Sequence, residues 1–419
     1  MRNRQAGLVF IFVTILIDVL GLGIIIPILP HLVQELAGGD VSSASTYFGV
    51  FVAVFAAMQF LFAPVLGSLS DRFGRRPIIL LSLFGAGVDY ILMALAPNLA
   101  WLFVGRVIAG ITAASFTAAN AYIADVSPPH QRAQNFGLVG AAFGLGFIVG
   151  PALGGLAGTW GPRVPFLVAA ALTLLNWLYG FFVLPESLQP ENRRPFSWAR
   201  ANAVGSLKAL GRYPVVLGLT GMLVANSLAQ QGMQSTWVLY TTYRFDWSTL
   251  QTGLSLAAFG VISIVMQGVV IRSLMPKLGE RRAVIIGLAF NALGFVLYAL
   301  ATQGWMLYAV MIGTALGFMT QPAAQGLISR QVPPNEQGSV QGAVASLFSL
   351  TGIFGPILMT SLFGHFTGGH ASVEIPGIAF FVSAACCVLA LLLALRSFRR
   401  TGPSTAPAAP VGAVPAPEA

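Results

Sequence analysis

Charge is scarce in this chain. Only 8% of its 419 residues are Asp, Glu, Lys or Arg, against roughly a quarter in a soluble domain. So few charges cannot clothe a surface of this size in water. A soluble protein with a large core is therefore excluded, and bilayer hydrocarbon is the implied solvent. Cysteine is nearly absent too: Cys386 and Cys387 are adjacent in an apolar run, which supports neither a disulfide framework nor a cysteine metal site. The four histidines fall at no ligand spacing, so no bound metal is expected. The two lysines, Lys208 and Lys277, lack the Walker-loop context that a nucleotide engine needs. No nucleophile, base or metal set is visible, so an enzyme is not expected.

What fills the chain instead is apolar sequence: 56% hydrophobic residues and a mean hydropathy of +0.80. The net charge of +9 sits in short segments between apolar runs, with no aromatic-and-basic groove pattern, so nucleic acid is not an expected partner. A membrane helix needs about 20 apolar residues. Twelve candidates meet that length, at roughly 7–29, 46–70, 77–97, 99–124, 135–158, 164–184, 214–240, 248–272, 282–301, 304–329, 338–363 and 376–396, and are numbered here as spans 1 to 12. The first is too long for the apolar region of a signal peptide and no small-residue cleavage site follows it, so it reads as a retained helix. Residues 185–213 form a polar central connection. Residues 397–419, rich in Pro and Ala from Thr401 onward, are expected to be a disordered tail.

The basic residues give a sidedness. With the N-terminus inside, Arg2, Arg4, Arg72, Arg75, Arg76, Arg132, the arginines and lysine of the central connection, and those between later even and odd spans fall on one side. Only Arg163 and Arg244 fall on the other. That is a strong positive-inside bias, and an even span count places both termini in the cytoplasm.

The chain also repeats itself at a fixed offset of 205 residues. Leu69, Gly74 and Arg76 map onto Leu274, Gly279 and Arg281. Pro128-Pro129 maps onto Pro333-Pro334, and Gly150-Pro151 onto Gly355-Pro356. The expected fold is an all-α membrane protein of two pseudo-symmetric six-helix bundles, residues 1–184 and 214–396. Parallel halves of this kind suit alternating access, in which they rock around a site near the midplane.

Four motifs carry chemistry. "TILIDVLGLGIIIPILP", Thr14 to Pro30, places Asp18 eleven residues from each end of span 1. A carboxylate at the bilayer centre costs roughly 2.5–3.5 kcal/mol on insertion scales, and no basic residue lies within a helical turn of it. "GSLSDRFGRRP", Gly67 to Pro77, lies in the basic connection between spans 2 and 3. Its Gly67, Asp71, Arg72, Gly74, Arg75 and Arg76 suit a latch, with the glycines allowing close packing and a tight turn and Asp71 free to pair with arginine or a helix N-terminus. "GRVIAGI", Gly105 to Ile111, buries Arg106 about seven residues inside span 4, which demands a polar cavity or a partner; Asp89 lies at similar depth on span 3. In "GLGFIVGPALGG", Gly144 to Gly155, the glycines Gly150, Gly154 and Gly155 let helices pack closely, and Pro151 removes a backbone bond and can bend the helix.

The string Gly67–Pro77, with its partial copy "LMPKLGERR" (Leu274 to Arg282), resembles the loop 2–3 signature of the major facilitator superfamily. Arg106 resembles that family's span 4 arginine, and Gly144–Gly155 its antiporter motif in span 5. "IDVLGLGIIIPILP", "SDRFGRRPIILLSLFGAGVDY", "GRVIAGITAAS", "AYIAD", "GPALGGLAG" and "TWVLYTTYRF" together resemble the Tet family of tetracycline/proton antiporters, over about residues 8–395. The resemblance implies a proton-coupled drug exporter of the inner membrane, with Asp18 and Asp89 as functional membrane carboxylates and Asp71 and Arg75 as loop residues. It also implies cargo that leaves as a metal chelate, so that a divalent cation enters only as part of the substrate and no cofactor is resident. Two positions depart from the family: Asn291 stands where its span 9 carries an acid, and Ser263 where its span 8 carries a histidine.

A desolvated carboxylate can change protonation near neutral pH. The expectation is that Asp18 takes a proton from outside, that protonation disfavours substrate, and that Asp89 and Arg106 are coupled. Amides within or near spans supply polar anchors for a substrate cavity: Gln59, Asn120, Gln230, Gln234, Asn291, Gln321 and Gln325, with Asn226 and Gln267 nearby. Each can equally serve as helix-to-helix glue. A transporter of a metabolite such as a sugar, and a non-transporting scaffold, are the rival classes. The partners expected are a small-molecule drug, protons and the bilayer, with the chain acting as a monomer.

Overall fold

A computed structural model describes residues 2–113, 116–127, 132–193, 214–332, 337–368 and 371–400. Most of the central connection and the tail beyond Arg400 lie outside the described residues, as do Pro128, Pro129, Pro333 and Pro334 of the repeat. The described chain is almost entirely helical. Nine of its helices are long and apolar enough to cross a membrane, and two bent helix pairs raise the number to eleven. The twelfth expected span is the helix Pro214–Phe245. It is long enough but carries Asn226, Gln230, Gln231 and Gln234, so composition alone does not mark it as a span. Its polar residues belong to a helix packed among others, against spans 11 and 12.

The bent pairs are span 1, Phe10–Ile25 with Leu29–Leu36 at 43°, and span 10, Gly304–Gly313 with Ala315–Ile328 at 46°. Pro27 stands at the first break and cannot donate the backbone bond that would continue the helix. At the second, the chain tightens into a 3-10 turn over Ala315–Met319. Span 8 has a π-helical turn at Met266–Ile271. Spans 2, 5 and 11 keep Pro64, Pro151 and Pro356 inside unbroken helices. At the face opposite the termini, span 2 begins on an Asp40 cap, its carboxylate accepting from the Ser43 N–H at 2.8 Å. Span 8 begins there on a capping box of Ser248 and Gln251, which satisfies orphan N–H groups at both helix starts.

Spans 1 to 6 pack with one another, as do spans 7 to 12, and the halves meet chiefly through span 2 against span 11 and span 5 against span 8. The buried apolar side chains fall into three clusters. The first spans both halves at the face opposite the termini, from Ile28 and Phe48 to Trp237, Tyr298 and Phe363. The other two stay within one half each at the face carrying the termini, around Ile15, Ile79 and Tyr122 in the first half and around Leu223, Leu288 and Ala324 in the second. The halves thus share one core at one end and keep separate cores at the other.

Candidate functional site

The central charges come from three helices. Asp89 is fully buried and Arg106 is 7% exposed; Arg106 Nη2 stands 3.9 Å from Asp89 Oδ2. Neither carboxylate oxygen of Asp89 has a hydrogen-bond partner among the described residues, and nor does Arg106 Nε. The guanidinium instead donates to the Met93 sulfur at 2.6 Å and lies 5.9 Å from the centre of the Phe55 ring. Gly105 makes the approach of spans 3 and 4 possible, since a Cβ there would lie 2.7 Å from the Met93 side chain and 3.0 Å from Asp89 Oδ1. Arg106 is therefore no interfacial side chain reaching for water. It is a buried cation held beside a buried acid, and breaking such a pair leaves an uncompensated charge.

Asp18, on span 1, is half-buried and makes no hydrogen bond or ion pair with the described residues. Tyr90, the residue after Asp89 on span 3, is buried. It also packs on the next turn of span 1, where a Cβ on Gly21 would sit 3.1 Å from the Tyr90 hydroxyl. The sequence reading missed Tyr90. Its only signal was its place directly after Asp89 in "GVDY".

The face carrying the termini holds the second polar group. Arg75 pairs with Asp71 one turn before it, donates to Ser70 Oγ at 2.7 Å and reaches Asp125 Oδ2 at 3.2 Å. The Glu186 carboxylate, at the end of span 6, accepts the backbone N–H of Arg75 at 2.9 Å and of Arg76 at 3.2 Å. It so supplies the negative charge that a helix N-terminus favours. Gly74 permits this, with φ +106° and no room for a Cβ against that carboxylate. Arg76 donates to the Phe181 carbonyl at 2.6 Å, and Ser187 Oγ to Asp125 at 3.1 Å. Gly67 accepts through its carbonyl from Ser70, whereas Arg72 stacks on Phe73 and joins none of these contacts. Among the described residues, the partners of Arg75 and Arg76 lie in the first half and, for Glu186, at the start of the central connection. Asp125 and Glu186 were not among the expected residues, because nothing local in "AYIAD" or "LPESL" shows that both converge on Arg75.

Gly150 and Gly154 face span 1. A Cβ on Gly150 would lie 2.8 Å from Gly23 Cα, and one on Gly154 would overlap the Ile24 carbonyl. Gly155 turns toward the other half, 2.7 Å in the same sense from the Thr249 carbonyl of span 8, and the Pro151 carbonyl lies against Gly253. This one helix face therefore seals both a contact within the first half and a contact between halves.

Asn291 is half-buried and spends its amide nitrogen on Asn226 Oδ1 at 3.3 Å, the Gly317 carbonyl at 3.4 Å and Thr320 Oγ1 at 3.5 Å, binding span 9 to span 7 and to the break in span 10. Gln267 donates to Ser263 at 2.7 Å on span 8. Gln59, Gln230 and Gln325 are half-buried, and Asn120, Gln234 and Gln321 exposed.

A family model described as the Major Facilitator Superfamily matches residues 11–356 and 268–419. The tetracycline resistance protein, class C, of Escherichia coli is 42% identical over 391 residues, covering 93% of this chain and 96% of that protein. The class H protein of Pasteurella multocida is 35% identical over 409 residues, covering 96% and 98%. Among solved structures, a bacterial homolog to the human lysosomal transporter Spinster, in an inward-facing and unoccupied conformation, superposes with a TM-score of 0.77. It covers 96% of this chain and 99% of that one at 17% identity, a likeness of fold.

Proposed function

The chain belongs to the major facilitator superfamily, and from that premise we propose that it exports tetracycline-like or other amphipathic drugs in exchange for protons. It is a multi-pass membrane protein of a transporter family with a small-molecule substrate. The observation that carries the drug reading is end-to-end likeness to tetracycline resistance proteins at 42% and 35% identity, joined to the buried Asp89–Arg106 pair of spans 3 and 4 and the half-buried Asp18 of span 1.

Asp18 is the proton carrier in this reading. It has no ionic partner, so it can gain and lose a proton without stranding another charge. Protonating Asp89 would leave Arg106 as an unpaired buried cation, which is costly; Asp89 and Arg106 therefore act as a fixed pair that senses Asp18 through Tyr90. Deprotonated Asp18 favours a cationic or amphipathic drug, and protonated Asp18 releases it. The strong excess of basic residues on the terminal side supports an inner-membrane orientation with both termini in the cytoplasm. With that orientation, the shared core lies at the outer face and the two separate cores at the cytoplasmic face, an arrangement suited to loading cargo from the cytoplasm. The chain acts as a monomer, without a resident cofactor; a divalent cation travels only as part of a chelated drug.

The test is expression in a drug-sensitive bacterium lacking its main pumps, screened with tetracyclines, fluoroquinolones and cationic dyes. The expected result is resistance to at least one class, abolished by Asp18→Asn with the protein still in the membrane. Resistance to none, with normal membrane levels, refutes the drug reading and points to a metabolite.

A further inference from the structure

The offset of 205 residues carries one pair of charges with its signs exchanged. In the first half, Arg75 opens the span 3 helix and meets Asp125 near the end of span 4 at 3.2 Å. The equivalent positions are Glu280 and Arg330. Glu280 opens the span 9 helix Glu280–Leu300, Arg330 lies in the last turn of the inner span 10 helix Thr320–Gln331, and Arg330 Nη2 stands 3.0 Å from Glu280 Oε1. The preceding glycines match as well, Gly74 at φ +106° and Gly279 at +73°.

Helix electrostatics explains how both polarities fit one backbone. A helix N-terminus favours negative charge. Arg75 and Arg76 oppose that preference, and Glu186 offsets them by accepting both of their backbone N–H groups. In the second half Glu280 is itself the first residue of the helix, so the negative charge is built in. Lys277, Arg281 and Arg282 surround Glu280 in sequence, and Arg281 lies over the Phe398 ring at 5.6 Å. Gly326 lets span 10 approach: a Cβ there would be 2.7 Å from Glu280 Oε1.

We propose that Glu280 and Arg330 form the second half's own latch, a positioning pair that holds the inner helix of the broken span 10 against the start of span 9. The Asn291 amide holds the other end of that helix through Thr320 and the Gly317 carbonyl. The inner helix of span 10 is thus pinned at both ends, and between them Ala323, Ala324 and Ile328 are buried in the second half's core. The first half's latch also grips the end of span 6 through Glu186, and in the second half Arg281, beside Glu280, reaches span 12 at Phe398.

The test compares Glu280→Arg, Arg330→Glu and the double reversal in purified full-length protein, by amide hydrogen exchange over residues 320–331. This readout needs no cargo, so it stands even if the drug reading fails; drug export per molecule in the membrane is the second arm and rests on that reading. Each single reversal is expected to speed exchange of this segment about two- to fivefold, the range for a partly exposed ion pair, and to slow export. The double reversal is expected to recover both in part, because a cation at position 280 opposes the helix start that Glu280 complements. Unchanged exchange in the single variants overturns the proposal, and so does a double variant that stays fast. If the reversed variants fail to reach the membrane, Glu280→Gln, Arg330→Gln and their double decide. A double variant no faster than either single supports the pair, and effects that multiply overturn it.

Discussion

Removing one charge of the Asp89–Arg106 pair should be far more damaging than removing both. Asp89 is 0% and Arg106 7% exposed, so Asp89→Asn leaves a guanidinium buried with only the Met93 sulfur and the Phe55 ring near it. Stranding one member of a buried pair costs about 3–5 kcal/mol. The 3.9 Å separation and the lack of a hydrogen bond at either carboxylate oxygen place this pair at the lower end, about 3 kcal/mol. For a half of this size, at roughly 2–4 °C per kcal/mol, melting in detergent should fall by about 6–12 °C. Arg106→Met should cost a similar amount, by stranding the carboxylate. The double variant Asp89→Asn with Arg106→Met removes both desolvation penalties and should melt within about 1 kcal/mol of the parent, while drug export in cells stays lost. Single variants that melt like the parent would refute the burial reasoning. So would a double variant less stable than both singles, and a double variant that still pumps would remove the pair from the transport cycle.

Three further outcomes follow from particular contacts. Gly154→Val drives its side chain into the Ile24 carbonyl and should cost about 1–3 kcal/mol by overpacking, read as lower melting and weaker export; Gly140→Ala, with nothing within 4 Å of its Cβ, should change neither. Glu186→Gln removes the charge that caps span 3 and should cost about 0.3–1 kcal/mol at low salt, a difference in melting that high salt should erase. Asn291→Asp, which places an acid at the family's span 9 position, also removes the donor that meets the Gly317 carbonyl and Thr320. It should lower stability by about 1–3 kcal/mol, so tetracycline export must be compared at equal membrane levels.

Much of this protein is legible along the chain because the bilayer acts on sequence locally. A lipid environment demands about 20 apolar residues per crossing, so the spans stand out window by window, and the ungapped offset of 205 residues marks the two halves. The depth of Asp18 follows from counting residues along one helix. The helix Pro214–Phe245, expected as a span at 214–240, packs against spans 11 and 12, so it can carry four amides and lose part of its apolar signature. The break in span 1 falls at Pro27, where the sequence marks a deformable helix; the one in span 10 is hidden, since an apolar run has the same hydropathy whether straight or bent.

What composition and counting determined, then, is that the chain crosses a membrane in two related sets of helices, with a lone acid deep in the first. Only the tertiary structure decided which charges meet. Asp125 and Glu186 reach Arg75 from 50 and 111 residues away, Arg106 meets Asp89 across spans 4 and 3, and the amide of Asn291 is bound to helix neighbours on spans 7 and 10. It also decided that the halves share a core at one face and part at the other. The reason is physical. Burial in lipid is imposed on each residue by its own neighbours in sequence, whereas an ion pair, a glycine contact or a shared core depends on distances between helices that no single segment encodes.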